Sequence, residues 1–348
     1  MILSFVFLTL VWILPIKGKM VCEQREQSQF LKFIASLLVV IGHQACFYCS
    51  PNELFMSETG VGALCVSFFL FMSGYGLLYS RVKRQQQLSA LWLKKRMIKL
   101  VVPALTAMAL YVVAEIAVGR EVDWSCLLKY WFVSDKNLRY GWYVSEIIIL
   151  YVVFFAFYRS FSIKTATLLT CIAVGIAICI MVAIKCAIWY VLGLPCFLMG
   201  LLLAYHDIGM KHIHFHLSPL KIKLLISFMV CCFFFLKDFE LVQYAVPMLD
   251  KWRYVLASKF MVNIVFIIVV TFLLMRLPIC KAFKNDKRSS RTAWGGYFYE
   301  IYLVQGATLL VCREWITNDW LFVILGLMCT IIVAKGMSMI NSWIVKHI

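Results

Sequence analysis

Long apolar runs alternate with short polar segments along almost the whole chain. The runs fall at about 30–48, 61–80, 100–118, 142–158, 165–184, 187–205, 224–236, 260–275, 294–312 and 320–340, and each approaches the roughly 20 residues a helix needs to cross a bilayer. The pattern predicts an all-α fold, a polytopic membrane bundle of about ten transmembrane helices with little chain left for a soluble domain. Polar residues inside these runs are few, so each one calls for a reason. In FLKFIASLLVVIGHQACFY, residues 30–48, the polar positions include Lys32 and His43. Their eleven-residue separation is a rise of about 16 Å and a rotation about 20° short of or past whole turns, which puts both on one helix face with the imidazole toward mid-membrane. Glu146 and Glu300 are the other ionisable groups deep in runs, with Lys335 a structural pairing partner on offer for one of them.

Composition agrees: 63% of residues are hydrophobic and 15% charged, with a mean hydropathy of +0.88. Charge adds the orientation. Lys and Arg split 23 to 10 between alternate loops, with seven between Arg81 and Lys99 alone. Cytoplasmic loops carry that excess, so both termini are expected to be cytoplasmic and the protein to be multi-pass in the inner (cytoplasmic) membrane. The net charge of +17 then reads mostly as topology, with membrane lipids and their anionic headgroups as first partner. No nucleic-acid partner is expected, because no basic or base-stacking module stands outside the runs. Residues 1–19 form an apolar extension that fits a signal peptide poorly; an upstream start before Met20, an eleventh span and an interfacial helix all stay open. Residues 20–348 read as a single membrane-embedded domain.

Fourteen cysteines are present, mostly inside apolar runs (Cys65, Cys171, Cys179, Cys196, Cys231, Cys232, Cys329), where they serve as small hydrophobes. Cys46 and Cys49 make a CxxC that reads as packing rather than redox chemistry. His206, His212, His214 and His216 crowd one segment with no cysteine or carboxylate cluster beside them except Asp207, so no metal is expected.

Four patterns then occur in order: FLKFIASLLVVIGH, with Lys32 eleven residues before His43; SFFLFMSGYGLLYS, with Ser73, Gly74 and Tyr75; KKRMIKLVVPAL, with Arg96, Lys99 and Pro103; and the aromatic helix starts WYVSEIIILY and YFYEIYLVQG. As a set they resemble the acyltransferase-3 family of integral membrane acyltransferases, from Phe30 to nearly the chain's end. The resemblance implies an O-acetyltransferase-like enzyme that moves an acetyl or other short acyl group from cytosolic acyl-CoA to a hydroxyl of a cell-surface polysaccharide or lipid-linked glycan. Acyl-CoA enters as donor substrate, with no permanently bound cofactor. Imidazole suits the proton transfer that attack on a thioester requires, which makes His43 the candidate base, with Lys32 beside it. Lys94, Lys95, Arg96 and Lys99 are candidates for the acyl-CoA phosphates. Ser73, Tyr75, Trp142, Glu146, Glu300, Tyr302 and Gln305 are candidates to touch or orient substrate. For Trp142, Tyr143, Tyr297, Tyr299 and Tyr302 the simpler expectation is an interfacial aromatic belt. Ser73 lacks the strand-and-elbow setting of a nucleophile.

Three positions depart from the family pattern. Lys32 and Lys99 stand where arginine is usual, keeping the point charge and losing the bidentate fork. Gln305 stands where many members have a second histidine. Either the bundle completes the transfer itself or a polysaccharide-assembly protein does. Two other classes remain: a proton-coupled transporter or flippase of a glycan or lipid precursor, against which no internal repeat is seen, and an inert membrane scaffold.

Overall fold

The computed structural model describes residues 25–47, 61–83, 88–124, 140–209, 223, 259–268 and 296–348. Among them the regular structure is helical and no strand occurs. The elements are α1 (Arg25–Gln44, ending in a 3-10 turn Ala45–Phe47), α2 (Val61–Lys83), α3 (Ala90–Ala117), α4 (Trp142–Ser160), α5 (Ile163–Ala183), α6 (Ile188–Leu192), α7 (Leu194–Gly209), α8 (Lys259–Ile268), α9 (Phe298–Trp315) and α10 (Asp319–His347). Six helical stretches are long and apolar enough to cross a membrane. The expected run at 224–236, residues 1–19, Cys49, Cys231, Cys232 and the histidines after His206 lie outside the described residues, so the count of ten is not reached here. The cysteines that are described are free thiols.

Helix ends follow local chemistry. α3 begins ten residues before its apolar run, because the Ser89 side chain accepts the Trp92 N–H and caps the basic turn KKRMIK into the helix. It ends in a Schellman turn: Gly119 takes φ +74°, its N–H reaches Ile116 O, and Arg120 N–H reaches Glu115 O. Pro103 sits inside α3 and withholds the N–H that Lys99 O would receive. In the loosened turn Leu100 O accepts the Tyr299 hydroxyl from α9 instead. The run at 187–205 breaks at Gly193 into α6 and α7. α10 is capped by Asn318, whose side chain accepts the Leu321 N–H, while Asp319 in its first turn pairs with Arg313.

The chain packs as two units. One gathers Gln29–Val66, Gln86–Ile172 and Arg291–Ile348; the other includes Ser67–Gln85 and Ala173–Ser290. α9 is the axis of the first, with every residue from Glu300 to Leu310 buried, and both α3 and α10 pack against it. Polar groups in this interior find each other: Thr308 and Thr330 share a hydroxyl hydrogen bond of 2.7 Å, and Thr106 donates to Asn341 at 2.8 Å. The outer face of α10 shows Ile324, Met328 and Ile332 every four residues, the apolar stripe a lipid-facing helix needs.

In the other unit α2 and α7 approach backbone to backbone. A Cβ on Gly74 would sit 2.2 Å from Phe197 O, and one on Gly200 would sit 2.0 Å from Phe71 O. Small residues permit such contact between membrane helices. A hydrogen bond of 2.6 Å from Ser67 to Asn263 ties α2 to α8. Gly200→Ala should therefore lower the thermal midpoint of the detergent-solubilised protein, at a cost of about 1–3 kcal/mol for overpacking. Gly336→Ala, where an added Cβ meets nothing within 4 Å, should leave it unchanged or raise it.

Candidate functional site

His43 lies in the last turn of α1, farther along its helix than a mid-span position. Its Nδ1 stands 3.1 Å from Gln305 Oε1 on α9. The tautomer follows from the other end of that amide. Gln305 is fully buried, and its Nε2 donates to the Tyr302 carbonyl at 2.9 Å, an oxygen that can only accept. Oε1 is therefore the atom facing His43, and an amide oxygen can only accept, so the imidazole proton sits on Nδ1. Nε2 is left with its lone pair. It has no hydrogen-bond partner among the described residues and faces Gly62, where an added Cβ would come within 3.6 Å.

The ring is held from a second side by Tyr140, stacked with centroids 3.5 Å apart and planes 4° from parallel. Tyr140 has φ +66°, a left-handed backbone that costs a non-glycine residue about 1–2 kcal/mol. The Tyr302 hydroxyl donates to the Tyr140 carbonyl and so fixes that turn. Gly141 and Trp142 follow at once as the start of α4, so the same strained residue sets where α4 begins and clamps the imidazole. Nothing in the linear pattern marks Tyr140, since a tyrosine before a glycine carries no sign of positive φ; it was absent from the expected site.

The aromatic belt expected near span ends is not what α4 and α9 show. Trp142 and Tyr143 are buried at 8% and 7% exposure and Tyr302 at 2%. Tyr143 and Tyr302 meet edge to face, 5.3 Å apart. They face the bundle because α9 is enclosed on all sides.

The two buried carboxylates have different surroundings. Glu300 lies beside Asn341 of α10. Glu146, on the second turn of α4, is near Tyr302 and has both carboxyl oxygens buried with no hydrogen bond among the described residues. Lys335, offered as a structural partner, is exposed and meets no carboxylate among the described residues.

The cations also divide. Lys94, Lys95 and Lys99 are exposed, whereas Arg96 turns inward over Trp92 at 5.6 Å and toward Tyr151 at 6.0 Å. Lys32 lies over the Phe298 ring at 5.5 Å, close enough to Arg96 for their charges to repel. Neither meets a carboxylate among the described residues. Lys32 and Arg96 thus form a cationic pair two turns into α1, while His43 sits in its last turn. Ser73 and Tyr75 belong to the other unit, half-buried on α2, where Tyr75 stacks on Tyr79 at 5.7 Å; in that SGYG stretch the tightest contact is made by Gly74.

Comparison with known proteins adds one match: the family model for an acyltransferase domain covers residues 26–338. No curated protein and no solved structure matches the chain.

Tyr302→Phe should strand the Tyr140 carbonyl and destabilise the protein by about 1–3 kcal/mol. A drop in thermal midpoint, with secondary structure retained by circular dichroism, is the expected reading.

Proposed function

Because the chain belongs to the acyltransferase-3 family, with its matched domain spanning nearly the whole sequence, we propose that it is a membrane O-acyltransferase with His43 as general base. It takes an acetyl or other short acyl group from cytosolic acyl-CoA and gives it to a hydroxyl of a cell-surface polysaccharide or lipid-linked glycan. The observation that carries this reading is the imidazole itself, protonated on Nδ1 by the demand of Gln305 and, among the described residues, unbonded at Nε2 beside Gly62.

In the reaction, Nε2 removes the proton of the acceptor hydroxyl as its oxygen attacks the thioester carbonyl. The C–S bond breaks, the coenzyme A sulfur leaves with the electron pair, and the imidazolium returns the proton to it. Gln305 serves throughout by keeping Nδ1–H occupied, so the second histidine usual in the family is not required for tautomer control. Tyr140 keeps the ring plane fixed.

The donor fits the placement of charge. Lys32 and Arg96 repel each other unless an anion lies between them, and the phosphates of coenzyme A supply one. From that pair the α1 axis rises about 16 Å to His43, a gap that an extended pantetheine arm can bridge. With the termini cytoplasmic, as the loop charges indicate, the phosphates stay at the cytosolic end while the thioester reaches the far end. Lys94, Lys95 and Lys99 then draw the anionic donor and anionic headgroups to the entrance.

Labelled acyl-CoA incubated with membranes containing the chain should yield labelled envelope glycan. His43→Ala should lower the rate by about 10²–10⁴-fold, the usual worth of a positioned base, and Gln305→Leu by less. Lys32→Met and Arg96→Met should instead raise the KM for acyl-CoA. Transfer that survives His43→Ala would refute the assignment.

A further inference from the structure

Glu146 and Glu300 are the buried carboxyl groups that the proposed reaction leaves without a task, and Glu146 is the one whose oxygens have no partner among the described residues. Its residue exposure is 6%, both carboxyl oxygens are buried, and neither receives a hydrogen bond among the described residues. Gln305, Thr106, Thr308 and Thr330 in the same unit find partners, and of the buried atoms that do not, Gln44 Oε1, Trp92 Nε1 and Asn341 Nδ2 are neutral while Glu146 is the carboxyl group. A carboxylate held this way is costly unless something donates to it.

Its place says what that donor is. Tyr140 stacks on His43, α4 begins two residues later, and Glu146 follows about 6 Å along the α4 axis from Trp142. Tyr143 stands one turn before it on the same helix, edge to face with Tyr302, whose phenol is near enough to feel the carboxylate. A carboxyl group beside Tyr302, whose hydroxyl holds the Tyr140 carbonyl while the Tyr140 ring stacks on the base, suits a polyhydroxylated ring: its oxygens accept hydroxyl hydrogens, and the ring's C–H faces lie on tyrosine. Glu300 does not offer this, since Asn341 stands beside it.

We propose that Glu146 is the acceptor-binding residue of the His43 site, its carboxylate receiving hydroxyl hydrogens of a sugar ring next to the hydroxyl that is acylated. The proposal rests on the acyltransferase reading given above.

The test uses the full chain in lipid nanodiscs, labelled acetyl-CoA and the glycan fraction of the cell envelope, with the bond formed identified by its release in mild alkali, which cleaves esters and spares amides. Glu146→Gln should raise the KM for glycan at least tenfold while the KM for acetyl-CoA moves less than twofold, and Glu146→Asp should recover part of the loss. Glu146→Leu should not lower the thermal midpoint, because no hydrogen bond within the protein is lost. An unchanged glycan KM in Glu146→Gln overturns the assignment. So does a rise in both KM values with a fallen midpoint in Glu146→Leu, which marks a structural group, and so does alkali-stable label, which marks an amine acceptor. If the wild-type chain shows no His43-dependent thioester cleavage, the parent reading falls and takes this one with it; glycan transfer that is normal in Glu146→Gln removes this one alone.

Discussion

The orientation of one buried amide controls the chemistry of the His43 site. Gln305 is enclosed by α3 and α10 around α9, so its amide cannot turn to water and must satisfy itself within the bundle. With its nitrogen committed to the Tyr302 carbonyl, the oxygen faces His43 and dictates which ring nitrogen holds the proton. A second histidine at this position would have two tautomers of its own; glutamine removes that freedom. The loss of a titratable group relative to the family pattern is therefore also a gain in definition.

Charge is sorted along the helices with equal economy. Lys32 and Arg96 come together two turns into α1, the Lys32 ammonium over Phe298 and the Arg96 guanidinium over Trp92 and Tyr151. The carboxylates that would neutralise them are elsewhere, Glu300 beside Asn341 and Glu146 beside Tyr302. An arginine on an aromatic face is more weakly hydrated and easier to bring inward than an ammonium, which fits Arg96 turning in while the neighbouring lysines stay exposed. Unsatisfied charge of this kind lowers stability and is retained where a ligand restores the balance.

Strain and satisfaction are distributed in the same way. Tyr140, stacked on His43, holds a left-handed backbone, and Glu146, six residues on, lacks a donor among the described residues. Away from that corner, α9 and α10 pair threonines and α2 and α7 interlock through glycines. Backbone strain persists only where surrounding contacts over-determine it; here the Tyr302 hydroxyl and the stacked imidazole do so.

Helix type and approximate place were legible in the linear pattern, because a bilayer demands long apolar stretches whatever their neighbours are. The spacing of Lys32 and His43, with the three motifs after it, was enough to point to the family, since the helical period alone puts both residues on one face. The helical start of α3 within a basic stretch and the break at Gly193 escaped because they depend on a cap and a local turn that hydropathy does not register. Tertiary packing alone decided the rest: that Arg96 turns inward and the lysines do not, that Tyr140 covers His43, that Glu300 comes beside Asn341 and Glu146 beside Tyr302. Each is a relation between helices far apart in sequence, and periodicity along one helix carries no information about which atoms of another will meet it.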